Sequence, residues 1–587
     1  MAALLPLAIT PGLLFHYDIT PKIAVLALAA AVALASSRGT AATITSLLNR
    51  KSGRWLAILA VVQIVWFAVA TGFSTRPWFS LFGSNWRRMG LLTIIGLLVF
   101  TVWAAGVFCR DRAVQSNVLR AIVIAALVAS IYAIGQYFDI DPLQSPEGYH
   151  AQAGASTIVR PPGTLGHADY FGWWLAIAFF CAIYRARVER RFWRWTAGCT
   201  CALSAAAIIL SGTRSAMLGV VAGLGALGIT RVLRKTGERS LGRVGKPLLA
   251  GMIVAGIVAG FYFSPAGTRL RARVRWSVDE PIGGARPLLW RDSLRMAGSR
   301  PWTGFGPETF AAEFPRYQSL ALARLLPDFY HESPHNTLLD AFTEEGVPGL
   351  LIALSWAGLG AYAALRAKCP ALTGALTASY VASMFGAVTI GPIFATLLVI
   401  ALLIALDPPS DADGRIVINP TMALAVSVPL AACLAGFGIW LVVSDFNLAR
   451  FERNPSVETY DSMVRIGLPG AAEDLYCARR FATMTPVNPA ATLRAAARAT
   501  ATADNPPNAW YNLAIFLADA NDATGVERTL RASTTLAPNW FKPHLALANL
   551  FVLTGRAHEA RIEAGKAMVL DAGKDPEVAE TFLKLAH

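Results

Sequence analysis

The run "GLLTIIGLLVFTVWAAGVF" at residues 90–108 contains no charged side chain and, wound as a helix, is long enough to cross the hydrocarbon core of a bilayer. Working outward in both directions, comparable apolar runs recur near 2–16, 20–37, 55–72, 117–137, 169–184, 195–211, 213–230, 247–263, 347–365, 371–387, 389–406 and 421–443. Together they predict about 13 spans. Composition agrees: of 587 residues, 55% are hydrophobic and only 15% charged, where a soluble protein carries about 25% charged residues. The chain is read as all-α, a polytopic membrane helical bundle.

The net charge is +15, and its placement sets the expected topology. With the N-terminus cytoplasmic, the short loops on that side hold roughly 20 Lys and Arg against about six opposite, the asymmetry of the positive-inside rule. The clusters are Arg50, Lys51 and Arg54; Arg185, Arg187, Arg190, Arg191 and Arg194; and Arg231, Arg234, Lys235, Arg239, Arg243 and Lys246. Topology accounts for them, so no nucleic acid is expected as a partner. Cys109, Cys181, Cys199, Cys201, Cys369 and Cys433 fall in or beside spans; with Cys477 alone in the outer tail, no disulfide framework is expected there. The N-terminal run lacks the basic region of a cleavable signal peptide and is read as the first span.

Four regions follow. Residues 1–263 form an N-terminal transmembrane bundle with one longer external loop at 138–168, and 264–346 form a large external loop rich in Arg and Trp. Residues 347–443 return to the membrane, and 444–587 form a tail on the external side. In the tail, Leu513 and Leu547, Ala514 and Ala548, and Leu536 and Leu570 each recur at a spacing of 34 residues. That period in a helix–turn–helix pattern resembles tetratricopeptide repeats, which bind partners or dock on their own chain. The tail is thus a packing appendage or a platform for a protein partner.

One polar stretch, "HESPHN" at 331–336, fits the zinc-hydrolase pattern H-E-x-x-H. Pro334 argues against it. Its ring crowds the carbonyl of Tyr330 and drives Ser333 out of the α region, so His331 and His335 cannot share one unbroken helical face. A third ligand at suitable spacing is also missing. No metal site is therefore expected. Instead a helix is predicted to begin here, with Ser333 as cap and Pro334 at its first position, which makes His335 the opening of a helix that dips into the membrane.

The arginines give that histidine a context. In "LSGTRSAMLG" (209–218), Arg214 stands in a tight turn between two apolar runs. A guanidinium at bilayer depth costs several kcal/mol unless it meets an anion or a water-filled cavity, roughly 2.5–3.5 kcal/mol on insertion scales. Arg286 and Arg291 flank Trp290 in "RPLLWRDSLRMAGSRPWTGFGPETF", Arg295 continues the row, and "STIVRPPGTLGHADYFGWW" supplies Arg160 and His167. Four external segments thus offer Arg or His at one membrane surface. Arginine forks match phosphate oxygens in bidentate fashion, and several together suit a pyrophosphate, such as that of a polyprenyl carrier.

In this order, "RPPGTLGHAD", "LSGTRSAMLG", "RPLLWRDSLRMAGSRPWTGFGPETF" and "HNTLLDAFTEEGVPGLL" resemble the O-antigen ligase and O-antigen polymerase superfamily over about residues 156–350. The resemblance implies a glycosyltransferase of the GT-C type in the bacterial inner membrane, without metal or cofactor, active at its periplasmic face. The donor it implies is an undecaprenyl-pyrophosphate-linked glycan. His335 matches the catalytic histidine; Arg214 and Arg286 match essential arginines, with Trp290 completing the second pattern; Arg160 matches an arginine of the earlier loop. Arg291 is expected to assist the pyrophosphate clamp, and Asn336, Glu345 and His167 to support the site. His335 is expected to titrate near working pH and to act as general base in a single inverting displacement.

The acceptor stays open: a lipid A-core (ligase), a growing glycan (polymerase) or a protein Ser or Thr (oligosaccharyltransferase) would each use the same site. A transporter of polyprenyl-linked glycans is the non-enzymatic alternative. It would be expected to show repeated halves and charges near the midplane, whereas here the charges gather at one face.

Overall fold

A computed structural model describes the chain apart from residues 36, 154–155, 233–259, 280–283, 410–415, 417, 470–472 and 587. It is mostly helical. Among the described residues, seven helices are long and apolar enough to cross a membrane: Lys51–Gly72, Leu91–Arg110, Arg112–Tyr137, Ala168–Val188, Arg191–Ser211, Thr337–Ala367 and Ala423–Arg453. Thr20–Ala35, Arg214–Val232, Pro370–Ser383 and Ile390–Leu406 pack among them as shorter or less apolar elements. Val61, Val65, Val221, Leu354 and Leu365 stand exposed on outer faces, where lipid tails would replace water as their solvent.

The predicted first span at 2–16 does not form. Its helix covers only Leu4–Leu7, because Pro6, Pro11 and Gly12 break the run. The turn that follows is tied down by its polar ends, with the Lys22 amine donating to the Ala8 carbonyl at 3.0 Å. The predicted span at 247–263 lies largely outside the described residues. The external loop at 138–168 also holds one element not predicted, an antiparallel hairpin of His150–Ala153 and Ser156–Val159. The Arg160 N–H, just beyond its second strand, donates to the Tyr149 carbonyl at 3.0 Å.

Residues 284–330 fold around a small apolar core that includes Leu289, Met296, Phe305, Phe310 and Leu322. This loop region repairs a break in helix Thr337–Ala367. Gly346 has φ +70° and ψ −165°, so the helix is two segments meeting at a kink. The orphaned backbone groups find partners: Phe305 N–H donates to Thr343 O at 3.0 Å, Gly306 N–H to Glu344 O at 2.9 Å, and Val347 N–H to Pro301 O at 2.7 Å. Broken backbone at membrane depth is tolerated only when protein satisfies it in this way.

Gly346 has no substitute. A Cβ there would lie 2.4 Å from the Trp302 carbonyl oxygen, and the positive φ is itself unfavourable for other residues. Gly346→Ala is expected to destabilise the purified protein by at least about 1–3 kcal/mol, read as a lowered thermal midpoint. Gly358→Ala, in the same helix with open space at its Cβ, serves as the control and should leave the midpoint equal or higher.

In the tail, consecutive helices from Asp474–Ala482 to Pro576–Ala586 pack on their sequence neighbours. Leu513 and Leu547, and Ala514 and Ala548, are buried. The tail docks on its own chain. Arg324 donates to the Val569 carbonyl at 2.8 Å, Lys574 to the Leu325 carbonyl at 2.7 Å, and Tyr330 OH to the Asp504 carbonyl at 3.1 Å. At the other edge, His16 contacts Asp445 at 2.7 Å and Glu473 at 3.2 Å. Burial alone would lower the His16 pKa, but the hydrogen bonds to those two carboxylates lift it to about 9.

Candidate functional site

Four separate segments meet at one end of the bundle. The first is the start of helix Ala168–Val188, where His167 is the N-cap, its Nδ1 accepting from the Asp169 N–H at 3.2 Å. Arg160 reaches the same turn and donates to Asp169 Oδ1 at 2.7 Å. The second is the turn after helix Arg191–Ser211. Gly212 takes a left-handed conformation (φ +64°), and Arg214 begins the next helix. Two bonds hold this turn in place: the Thr213 hydroxyl donates to the Ala168 carbonyl at 3.0 Å, and the buried Arg273 donates to the Gly212 carbonyl at 3.0 Å. The tight turn expected around Arg214 is therefore present, and it is bonded directly to the His167–Asp169 cap.

The third segment is helix Arg286–Ser299. Arg286 donates to the Phe385 carbonyl at 3.0 Å and lies over the Phe385 ring. One turn on, Trp290 donates from Nε1 to the Pro334 carbonyl at 2.9 Å. That bond fixes the fourth segment, which carries His335. Residues 330–336 are not helical, so the helix expected to begin at Pro334 starts later, at Thr337, with Asn336 rather than Ser333 as its cap. Asn336 Oδ1 accepts from the N–H groups of Leu338 and Leu339 at 3.0 and 3.2 Å. His335 itself has φ +51°, an uncommon conformation for a residue other than glycine and one that marks functional turns. His331 and His335 therefore share no helix face, as Pro334 predicted.

Electrostatics ties the segments into one group. Burial pushes the His335 pKa down to about 4; Asp169 opposes this, and the charges of Arg286, His167 and Arg160 add to it. The expectation that His335 titrates near neutral pH is corrected accordingly: it is a neutral imidazole over the whole physiological range. The Arg286 pKa is lowered first by burial and then by the nearby charges of Arg214 and Arg160, with Asp169 acting the other way. Arg286 thus lies beside the charges of Arg160 and Arg214 and faces the carboxylate of Asp169. Guanidinium groups gathered in this way suit a polyanion.

Arg291, Arg295 and Glu345 lie elsewhere. Arg291 donates to Asp292 at 3.1 Å and to the Ser319 hydroxyl at 2.7 Å, on a different face of its helix from Arg286. Arg295 is drawn toward Asp292 as well. Glu345 does not reach His335; its carboxylate accepts from Gln63 at 3.3 Å and its carbonyl from Trp66 at 2.9 Å, which makes it part of the kink. Conversely, Asp169, Arg273 and the Phe385 carbonyl were not anticipated. The first had a signal, an acid at the start of a span in "GHADYF"; the other two act through long-range contacts.

Fold and site define a multi-pass membrane protein with a cluster of arginine and histidine side chains at one end of its helices. A family model described as O-Antigen ligase matches residues 199–354. The match spans Arg214, Arg286, Trp290 and His335, and supports the O-antigen ligase superfamily and a membrane glycosyltransferase-type function. No curated protein matches the chain.

Proposed function

We propose that the chain is an inner-membrane glycosyltransferase of the O-antigen ligase type, moving a glycan from an undecaprenyl-pyrophosphate donor to an acceptor hydroxyl. The observation that supports it is the convergence of Arg160 and Arg286 on His335 and Asp169, with Arg214 acting on Arg286 from a fourth chain segment. In this reading the arginines bind the pyrophosphate and stabilise the charge that grows on it as the anomeric C–O bond breaks. His335 takes the proton of the acceptor hydroxyl as that oxygen bonds to the anomeric carbon, giving inversion. The acceptor is read as the lipid A-core, with a growing glycan or a protein hydroxyl as the other classes this site would serve.

The test uses the full chain in lipid nanodiscs with purified lipid-linked glycan, acceptor and EDTA. Transfer is expected to persist in EDTA. Arg286→Ala is expected to cut kcat/KM for the donor by about 10²–10³-fold, the scale for one lost group that stabilises developing charge. Loss of wild-type transfer in EDTA, or an Arg286→Ala enzyme as active as wild type, would overturn the reading.

A further inference from the structure

A second cavity, of about 360 Å³, opens between loop residues 314–331 and the tail. Its size falls within the roughly 300–1,000 Å³ typical of small-ligand pockets. The walls combine ring faces with short polar side chains: Phe329 and Tyr330 from the loop, Tyr511 and Trp540 from the tail, with Asn505 and Asn508 between them. Phe329 is 55% exposed, although large aromatic residues normally bury their rings on folding. Tyr511 and Trp540 pack edge to face, with centroids 5.1 Å apart.

His331 lines the same cavity. This side chain is 5% exposed, and its Nε2 meets no hydrogen-bond partner among the described residues. A buried, unsatisfied ring nitrogen is unfavourable, and in this position a bound ligand would satisfy it. Burial holds the imidazole neutral, its pKa lowered to about 4, so it can exchange a hydrogen bond with an uncharged hydroxyl. His331 also lies four residues from His335 on the same non-helical strand of chain. Whatever fills this groove is therefore delivered next to the arginine-rich site.

We infer that the groove between loop and tail is a carbohydrate subsite that holds sugar rings of the transferred or accepting glycan. Aromatic faces suit the C–H surfaces of sugar rings, and the asparagine amides and His331 Nε2 suit their hydroxyls. This rests on the glycan-transfer reading for the identity of the chain that enters, while its own test needs no catalysis.

Full-length protein in detergent would be presented with an array of immobilised oligosaccharides built from neutral hexoses, N-acetylhexosamines and acidic sugars, alongside proline-rich peptides. Wild type is expected to bind one glycan class, and His335→Ala to bind it equally well. Phe329→Ala removes a ring that stands mostly in solvent, and Asn508→Ala removes one amide; each is expected to weaken that binding at least tenfold. Absence of glycan binding, unchanged binding in both groove variants, or binding of the peptides alone would each overturn the inference. If His335→Ala kept full transfer activity while groove binding behaved as expected, the transfer mechanism would fail and the subsite would stand.

Discussion

His335→Ala is expected to lower kcat for glycan transfer by about 10²–10⁴-fold, the usual contribution of a positioned general base, while donor KM changes little. The separation follows from the geometry: the groups that face an anion are Arg160, Arg214 and Arg286, and the imidazole is neutral. Its pKa near 4 fixes the pH profile as well. The base works when unprotonated, so kcat/KM for the donor is expected to hold steady down to about pH 4 and fall below it. An unperturbed histidine would give that limb near 6.5. Pyrophosphate bound among the arginines would offset the charges that depress His335, so the acid limb of kcat should lie above that of kcat/KM. A limb of kcat/KM near 6.5, or His335→Ala retaining full kcat, would remove His335 from the mechanism. Retained kcat with a large rise in donor KM would instead make it a binding group.

Whether sequence could reveal each part depended on how local its cause was. The span Leu91–Arg110 was legible because length and uninterrupted apolarity suffice. The run at 2–16 passed the same test of apolarity but carried Pro6, Pro11 and Gly12, and these outweighed it. In helix Arg286–Ser299, spacing already held part of the answer. Trp290 is four residues from Arg286 and shares its face, whereas Arg291 is rotated away, toward Asp292 and Ser319. The left-handed turn at His335 was less accessible. Pro334 disfavoured a helix through 331–335, but placing the cap at Asn336 required the bond from Trp290, whose partner lies 44 residues away. The meeting of the four site segments was inferred from charge types at one membrane face; Asp169, visible in the sequence as an acid at the start of a span, joins them through its bond from Arg160.

Arg87→Met is expected to prevent accumulation of folded protein, an effect that sequence inspection would not have anticipated. Arg87, 4% exposed, pairs through Nε with Glu308 at 2.5 Å, through Nη1 with Asp340 at 3.2 Å and through Nη2 with Glu344 at 2.7 Å. These partners join the loop region to the segment of helix Thr337–Ala367 that follows His335, so one guanidinium holds both against the bundle. Removing one partner of a buried ion pair costs roughly 3–5 kcal/mol; here three carboxylates would lose their cation, against a total stability on the order of 5–15 kcal/mol. Lysine cannot replace it, since a single ammonium lacks the fork that reaches three acids at once. The decisive comparison is Arg87→Met alone against Arg87→Met with Glu308→Gln, Asp340→Asn and Glu344→Gln. If uncompensated charge is the cause, the quadruple variant recovers monodisperse protein on size-exclusion chromatography, and Arg87→Met alone does not. Normal yield and an unchanged thermal midpoint for Arg87→Met would show that this cluster does not hold the loop in place.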